Sequence, residues 1–280
     1  MIATATRSLI ALALVVTAAA ALAAEYSDLY IIPIAGHARG AHGTSWRSDV
    51  VLHNIQAVPV SVELALVESG RVPSAAPLSL DTPGEPAFVL MPGETRTLAD
   101  VAARLGRDVT GALIVGADLP FAVTSRTWAE LPNGTRTLGQ SVLPIALAGT
   151  PDALNEVAVL PSLAHGARQR SNVGLFIAAS RAPLVIELAL LTPAGTAVDT
   201  QRITVSEPGF LHRQFAIRGS DSTPTTTAVI RIVEGDGIVV PYGSTIDNTS
   251  AEAIFLSAAP ILVHPTPTRT LLAATVTATR

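Results

Sequence analysis

The stretch GHARGAHGTSWRSDVVLHN, Gly36 to Asn54, concentrates residues able to do chemistry. It holds three of the six histidines, His37, His42 and His53, together with Trp46, Arg47 and Asp49. His37, His42, Asp49 and His53 are ligand types that zinc accepts, but zinc wants fixed, converging side chains braced by a second layer of hydrogen bonds. On a strand, Asp49 and His53 share a face yet lie about 13 Å apart at ~3.3 Å of rise per residue. One ion takes both only if the strand bends. Metal binding is therefore the weak alternative, and no cofactor is implied. Recognition is the stronger one. Trp46 adjoins Arg47, and Arg126 precedes Trp128 by two residues. Indole and guanidinium groups together suit stacking on a sugar or a peptide. The plainer reading of both tryptophans is that their large amphipathic rings cap a core.

Other chemistries find little footing. All 18 basic residues are arginine, which removes Schiff-base catalysis and the phosphate-binding lysine of nucleotide loops. Cysteine is absent, and so are thiol nucleophiles and disulfides. No G-x-S-x-G elbow marks a nucleophilic serine. The glycines of GHARGAHG precede a strand rather than a helix N-terminus, so they cradle no phosphate. EGDG, Glu234 to Gly237, offers too few oxygens for calcium and reads as a hairpin turn. A net charge of −4 without a basic cluster argues against a nucleic-acid partner. Carboxylates converging from distant strands leave an exported hydrolase as a further alternative.

The elements that must position these residues are short. Runs rich in Val, Ile, Leu and Thr (SDVVLHN, PVSVELALV, NEVAVLP, SNVGLFI, PLVIELALL) are separated by Pro, Gly, Asn and Asp. That pattern predicts an all-β chain. In VSVELALV, Val60, Val62, Leu64 and Leu66 alternate on one face, with Glu63 on the other. IVGADLPF and VEGDGIVV read as tight hairpins. TLADVAARLG, Thr97 to Gly106, places Leu98, Val101, Ala102 and Leu105 at helical spacing and predicts a short helix.

An internal repeat sets the organisation. AHGTSWRSDVVL (Ala41 to Leu52) lies over AHGARQRSNVGL (Ala164 to Leu175), with His42 over His165 and Arg47 over Arg170. PVSVELAL lies over PLVIELAL, MPGE over EPGF, and GALIV over TAVIR, in the same order. Asp49 falls over Asn172, which suits a hydrogen-bond acceptor better than a catalytic carboxylate. The residues over Trp46 and Trp128 are small or polar. The expectation is two tandem immunoglobulin-like antiparallel β-sandwich domains, 25–147 and 153–263, with a short helix inserted in the first, a turn-rich linker 148–152 and a tail or added strand at 264–280. Residues 1–24 carry one Arg, an apolar run and a small-residue end, the pattern of a signal peptide cleaved after Ala23 or Ala24. No later run is long and apolar enough to span a bilayer.

YIIPIAGHARGAHGTSWRSDVVLHN, then MPGETRTLADVAARLG, then GALIV and FAVTSRTW, then a second copy with RSNVGLF, resembles a loose group of secreted bacterial proteins with tandem immunoglobulin-like β-sandwich repeats. The resemblance implies fold and export and supplies no activity. The sequence thus points to a secreted, periplasmic or cell-surface protein without enzymatic activity, whose partner is an extracellular glycan or protein. The alternative is a carbohydrate- or peptide-binding module using Trp46, Arg47, Arg126 and Trp128. Oligomeric state is left open.

Overall fold

The computed structural model describes residues 26–70, 73, 78–79, 88–147, 157–217, 225–258 and 262–263. The signal peptide, the linker 148–152 and the tail 264–280 expected from sequence lie outside the described residues. What is described is all-β, in two antiparallel sheets. The first holds β1 (Ser27–Arg39), β2 (Ser45–His53), β3 (Val60–Glu68), β4 (Leu78–Ser79), β5 (Phe88–Leu90), β6 (Thr95–Leu98), β7 (Val109–Glu130), β8 (Gln140–Val142) and β9 (Ile145–Ala146). The second holds β10 (Val157–Ala164), β11 (Gln169–Leu191), β12 (Ala197–Val205), β13 (Gly209–Ala216), β14 (Thr225–Asp247), β15 (Ala253–Ser257) and β16 (Leu262–Val263).

Each sheet is organised around one long strand. β7 pairs with β1 and β3 over its first half and with β2 and β8 over its second. β14 pairs with both halves of β11, with register breaks between Ala179 and Ile186. The sequence reads hairpins at IVGADLPF and VEGDGIVV. Both lie inside continuous strands instead. Their Gly and Asp residues serve corners. Gly235 takes φ +84 where its position leaves no room for a Cβ against the Pro183 carbonyl, and Asp118 Oδ1 accepts from the Ser61 N–H at 2.8 Å.

The helix expected at Thr97–Gly106 is corrected as well. Leu98 ends β6, paired to Val50, and only Val101–Leu105 coil, as a 3-10 turn. Leu98, Val101 and Ala102 are all buried, so the helical spacing arises from a strand end and a tight turn that share one core.

Strand alternation sends side chains to three apolar clusters. In the first sheet Tyr30, Ile32, Leu64, Leu66, Leu113 and Val115 face its own core. Their neighbours Leu29, Ile31, Ala65, Val67, Ala112 and Ile114 face away from it and are buried too. They meet Phe176, Ala178, Phe210, Ile238 and Val240 of the second sheet, whose neighbours Leu175, Ile177, Leu211 and Val239 line the second core. The alternating face of β3 forms as read; on its other face Ser61 and Glu63 stay part-exposed, while Ala65 and Val67 are covered by the second sheet. The apolar seam joins the two sheets.

Candidate functional site

The suspicious stretch folds as the end of β1, a 3-10 turn at Ala41–Gly43, and β2. Cross-strand register decides which side chains meet, because directly opposed residues share a face. Arg47 opposes Trp128 and Asp49 opposes Arg126, so these four lie on one outer face. Trp46 opposes Ala129 and points to the other side. The sequence groups Trp46, Arg47, Arg126 and Trp128 as one surface; the period-two pleat splits it.

On the outer face two carboxylates gather the chemistry. Asp49 Oδ2 accepts from Arg126 Nη2 and Trp128 Nε1, each at 2.9 Å, and Oδ1 accepts from the Asp100 N–H at 3.0 Å. Burial works to raise the Asp49 pKa, but the bonds from Arg126, the Asp100 amide and Trp128 outweigh it and hold the carboxyl below the usual range. Asp100 Oδ2 accepts from His37 Nδ1 at 2.8 Å and forms an ion pair with Arg47, whose Nε lies 3.1 Å away. Asp100 reaches them from a left-handed backbone, φ +46 and ψ 58, just before the 3-10 turn. Arg136 stacks its guanidinium 4.8 Å from the Trp128 ring centre. A ligand seeking that ring face finds it occupied.

The four metal candidates do not meet. His37 is held by Asp100, Asp49 by its three donors, and His53 Nδ1 bonds Thr95 Oγ1 at 2.8 Å. His42 sits at φ 56 in the 3-10 turn, exposed beside a separate cavity of about 280 Å³ that Arg170, Asp247 and Asn248 also line. No three His, Cys, Asp or Glu residues form a metal-ligating group among the described residues.

Trp46 contributes elsewhere. It lines a cleft of about 180 Å³ between the sheets with Arg39, Thr127, Gln140, Asn172 and Gln214. Gly40 supports it, since a Cβ there would stand 2.4 Å from the indole Nε1. Register sets Gln140 opposite Thr127 and Asn172 opposite Ser244. Thr127 Oγ1 in turn bonds Ser48 Oγ at 2.9 Å. In the second sheet Ser171 Oγ and Thr245 Oγ1 form the corresponding bond at 2.7 Å.

Next to this cleft lies a buried polar group that the sequence does not single out. His212 is fully buried on β13. Its Nδ1 bonds Ser69 Oγ at 2.6 Å, and its Nε2 lies 3.1 Å from the Pro33 carbonyl and 2.8 Å from Tyr242 Oη. A carbonyl only accepts, so Nε2 carries the proton and Nδ1 accepts from Ser69. Gln214 Nε2 donates to Tyr242 Oη at 2.9 Å. Burial pushes the His212 pKa down to about 4, opposed by the bond to Pro33. The same burial pushes the Tyr242 phenol up. Ser69 and His212 form a nucleophile-like pair, but the Ser69 and Gly70 N–H groups already donate to the Thr110 and His212 carbonyls, so neither is free for an oxyanion. The arrangement ties the sheets together.

No family model matches the chain, and no curated protein matches it.

Proposed function

We propose that the chain is an exported, non-enzymatic interaction protein, built from two immunoglobulin-like sandwiches and acting in the periplasm, at the cell surface or outside the cell. The signal-peptide pattern of residues 1–24 supports export. The tandem reading draws support from the aligned Arg-Ser motifs, Arg47-Ser48 and Arg170-Ser171, and from the matching serine–threonine bonds, Ser48 to Thr127 and Ser171 to Thr245. It draws more from the two long central strands, β7 and β14, which take partners in the same pattern.

One observation carries the functional reading. Each charged group in the chemical-looking cluster is engaged by a protein partner: Asp49 by Arg126 and Trp128, Asp100 by His37 and Arg47. A carboxylate held below its normal pKa by three donors is a poor general acid or base near neutrality. The cluster braces the edge between β2 and β7. The partner is an extracellular glycan or protein, not a nucleic acid, because the chain is acidic overall.

The test is to express the full chain in a bacterial host, fractionate the cells, and sequence the mature N-terminus. Export with a new N-terminus near Glu25, followed by binding in a screen of glycans and extracellular proteins, supports the reading. Retention of an uncleaved chain in the cytoplasm, or hydrolytic turnover abolished by Asp49→Asn, contradicts it.

A further inference from the structure

We propose that the cleft between the two sheets binds one ring of a neutral, hydroxyl-rich ligand, a sugar residue, through Trp46, Gln140 and Asn172. This rests on the interaction reading above and gives it a site and a ligand class. Both sheets build the cleft: Arg39, Trp46, Thr127 and Gln140 come from the first, Asn172 and Gln214 from the second.

The cleft holds hydrogen-bonding capacity that the protein does not use. Gln140 is only 5 % exposed, and its single side-chain bond is the one Oε1 accepts from Ser244 Oγ at 3.2 Å. Its amide nitrogen has no protein partner among the described residues and is not sealed from solvent, so it is open to a ligand. The side-chain amide of Asn172 also bonds nothing among the described residues. Gln214 uses only its nitrogen, toward Tyr242. These free groups are uncharged amides lining one cleft, offering both donors and acceptors. Vicinal hydroxyls match such a set by giving and taking one bond each.

Charge and size narrow the ligand. No carboxylate lines the cleft. Arg39, its one charged lining residue, is 88 % exposed and stands at 3.9 Å from Asp108. An ionic ligand finds no buried counter-charge. A volume of about 180 Å³ is below the roughly 300–1,000 Å³ of drug-sized pockets. It takes a single ring, with the rest of the ligand in solvent. Trp46 gives that ring an apolar wall, as aromatic side chains do at recognition surfaces.

The experiment uses the whole mature chain carrying Trp128→Phe, which leaves Trp46 as the only indole. Glucose, galactose, mannose and N-acetylglucosamine are each titrated to about 100 mM, well above a millimolar Kd, while Trp46 emission is followed. At least one sugar should shift the emission saturably. Gln140→Ala and Asn172→Ala should each weaken that binding about tenfold, the effect of one lost hydrogen bond. Arg126→Ala, on the opposite face, should leave Kd unchanged. Asn172 is part-exposed, so its variant keeps the test decisive if Gln140→Ala lowers the folded fraction. No saturable shift with any of the four sugars overturns the proposal. So does a shift that persists in both cleft variants. Glycan-array binding by the same chain that survives both variants would also overturn the cleft assignment while leaving the interaction reading intact.

Discussion

Asp49 draws three donors onto two oxygens, and this makes it the most consequential charged side chain of the outer face. Asp49→Ala leaves the Trp128 N–H and the Asp100 N–H without an acceptor in a half-buried setting. It should cost about 2 kcal/mol in urea unfolding. Arg126→Ala removes a partner that is itself half exposed, and should cost less than about 1 kcal/mol. Because the Asp49 pKa is depressed in the fold, its contribution is complete above the unfolded value near 3.9 and is lost as pH falls through the lower folded value. His212 acts in a higher window. It is neutral in the fold down to about pH 4, while the unfolded chain takes up the proton near 6.5. The unfolded state binds more protons between those values, so stability declines as pH falls from about 6.5 to 4, by on the order of 3 kcal/mol. Urea midpoints at pH 7 and pH 5 should differ markedly for the native chain and less for His212→Gln. The Asp49 role was legible, since an Asp aligned with an Asn is an acceptor rather than a catalyst. Asp100 and His212 were not. One depends on a left-handed backbone residue that brings a loop onto β1 and β2, and the other is a lone histidine whose partners lie far away in sequence.

The long strands show where local patterns mislead. Gly-Asp sequences favour hairpins when the strand must reverse, but here the chain bends and continues, since each half of β7 finds a different partner. Local composition does not encode that choice. The register it sets has a measurable consequence at Gly174 and Tyr242, which oppose each other across β11 and β14. A Cβ on Gly174 would lie 1.9 Å from Tyr242 Cζ. In the aligned strands of the first sheet, Val51 opposes Thr124 and needs no such space. Gly174→Ala should displace the Tyr242 ring, disturb its bonds to His212 and Gln214, and destabilise the protein by about 1–3 kcal/mol. Calorimetry of the variant would show it as a lowered Tm. The helix expected at Thr97–Gly106 fails for a related reason. Four apolar residues at helical intervals bury equally well from a strand end and a 3-10 turn, so periodicity alone cannot separate the two.

At the scale of the molecule, the seam turns two sheets into one body. Apolar residues on both faces of VELALV, GLFIAA and GIVV are what double-sided burial requires. The repeat and its linker predict two copies but carry no signal for the face on which the sheets meet, because apolar residues on both faces of a strand do not say what covers each face. Phe176 is fully buried at the seam, against Phe210 at 6.3 Å between ring centres. Phe176→Ala should cost about 3–5 kcal/mol and loosen the first sheet as well as the second. Polar ties reinforce the seam, from His212 to Ser69 and Pro33 and from Leu138 N–H to Glu252. The cleft that carries the proposed sugar site exists only while the sheets stay joined. Equilibrium urea unfolding followed by two probes tests that union most directly. In a Trp46→Phe chain the remaining emission, from Trp128 on β7, reports the first sheet, and far-UV circular dichroism reports both sheets. The account predicts one transition with coincident midpoints; two separated midpoints would contradict it.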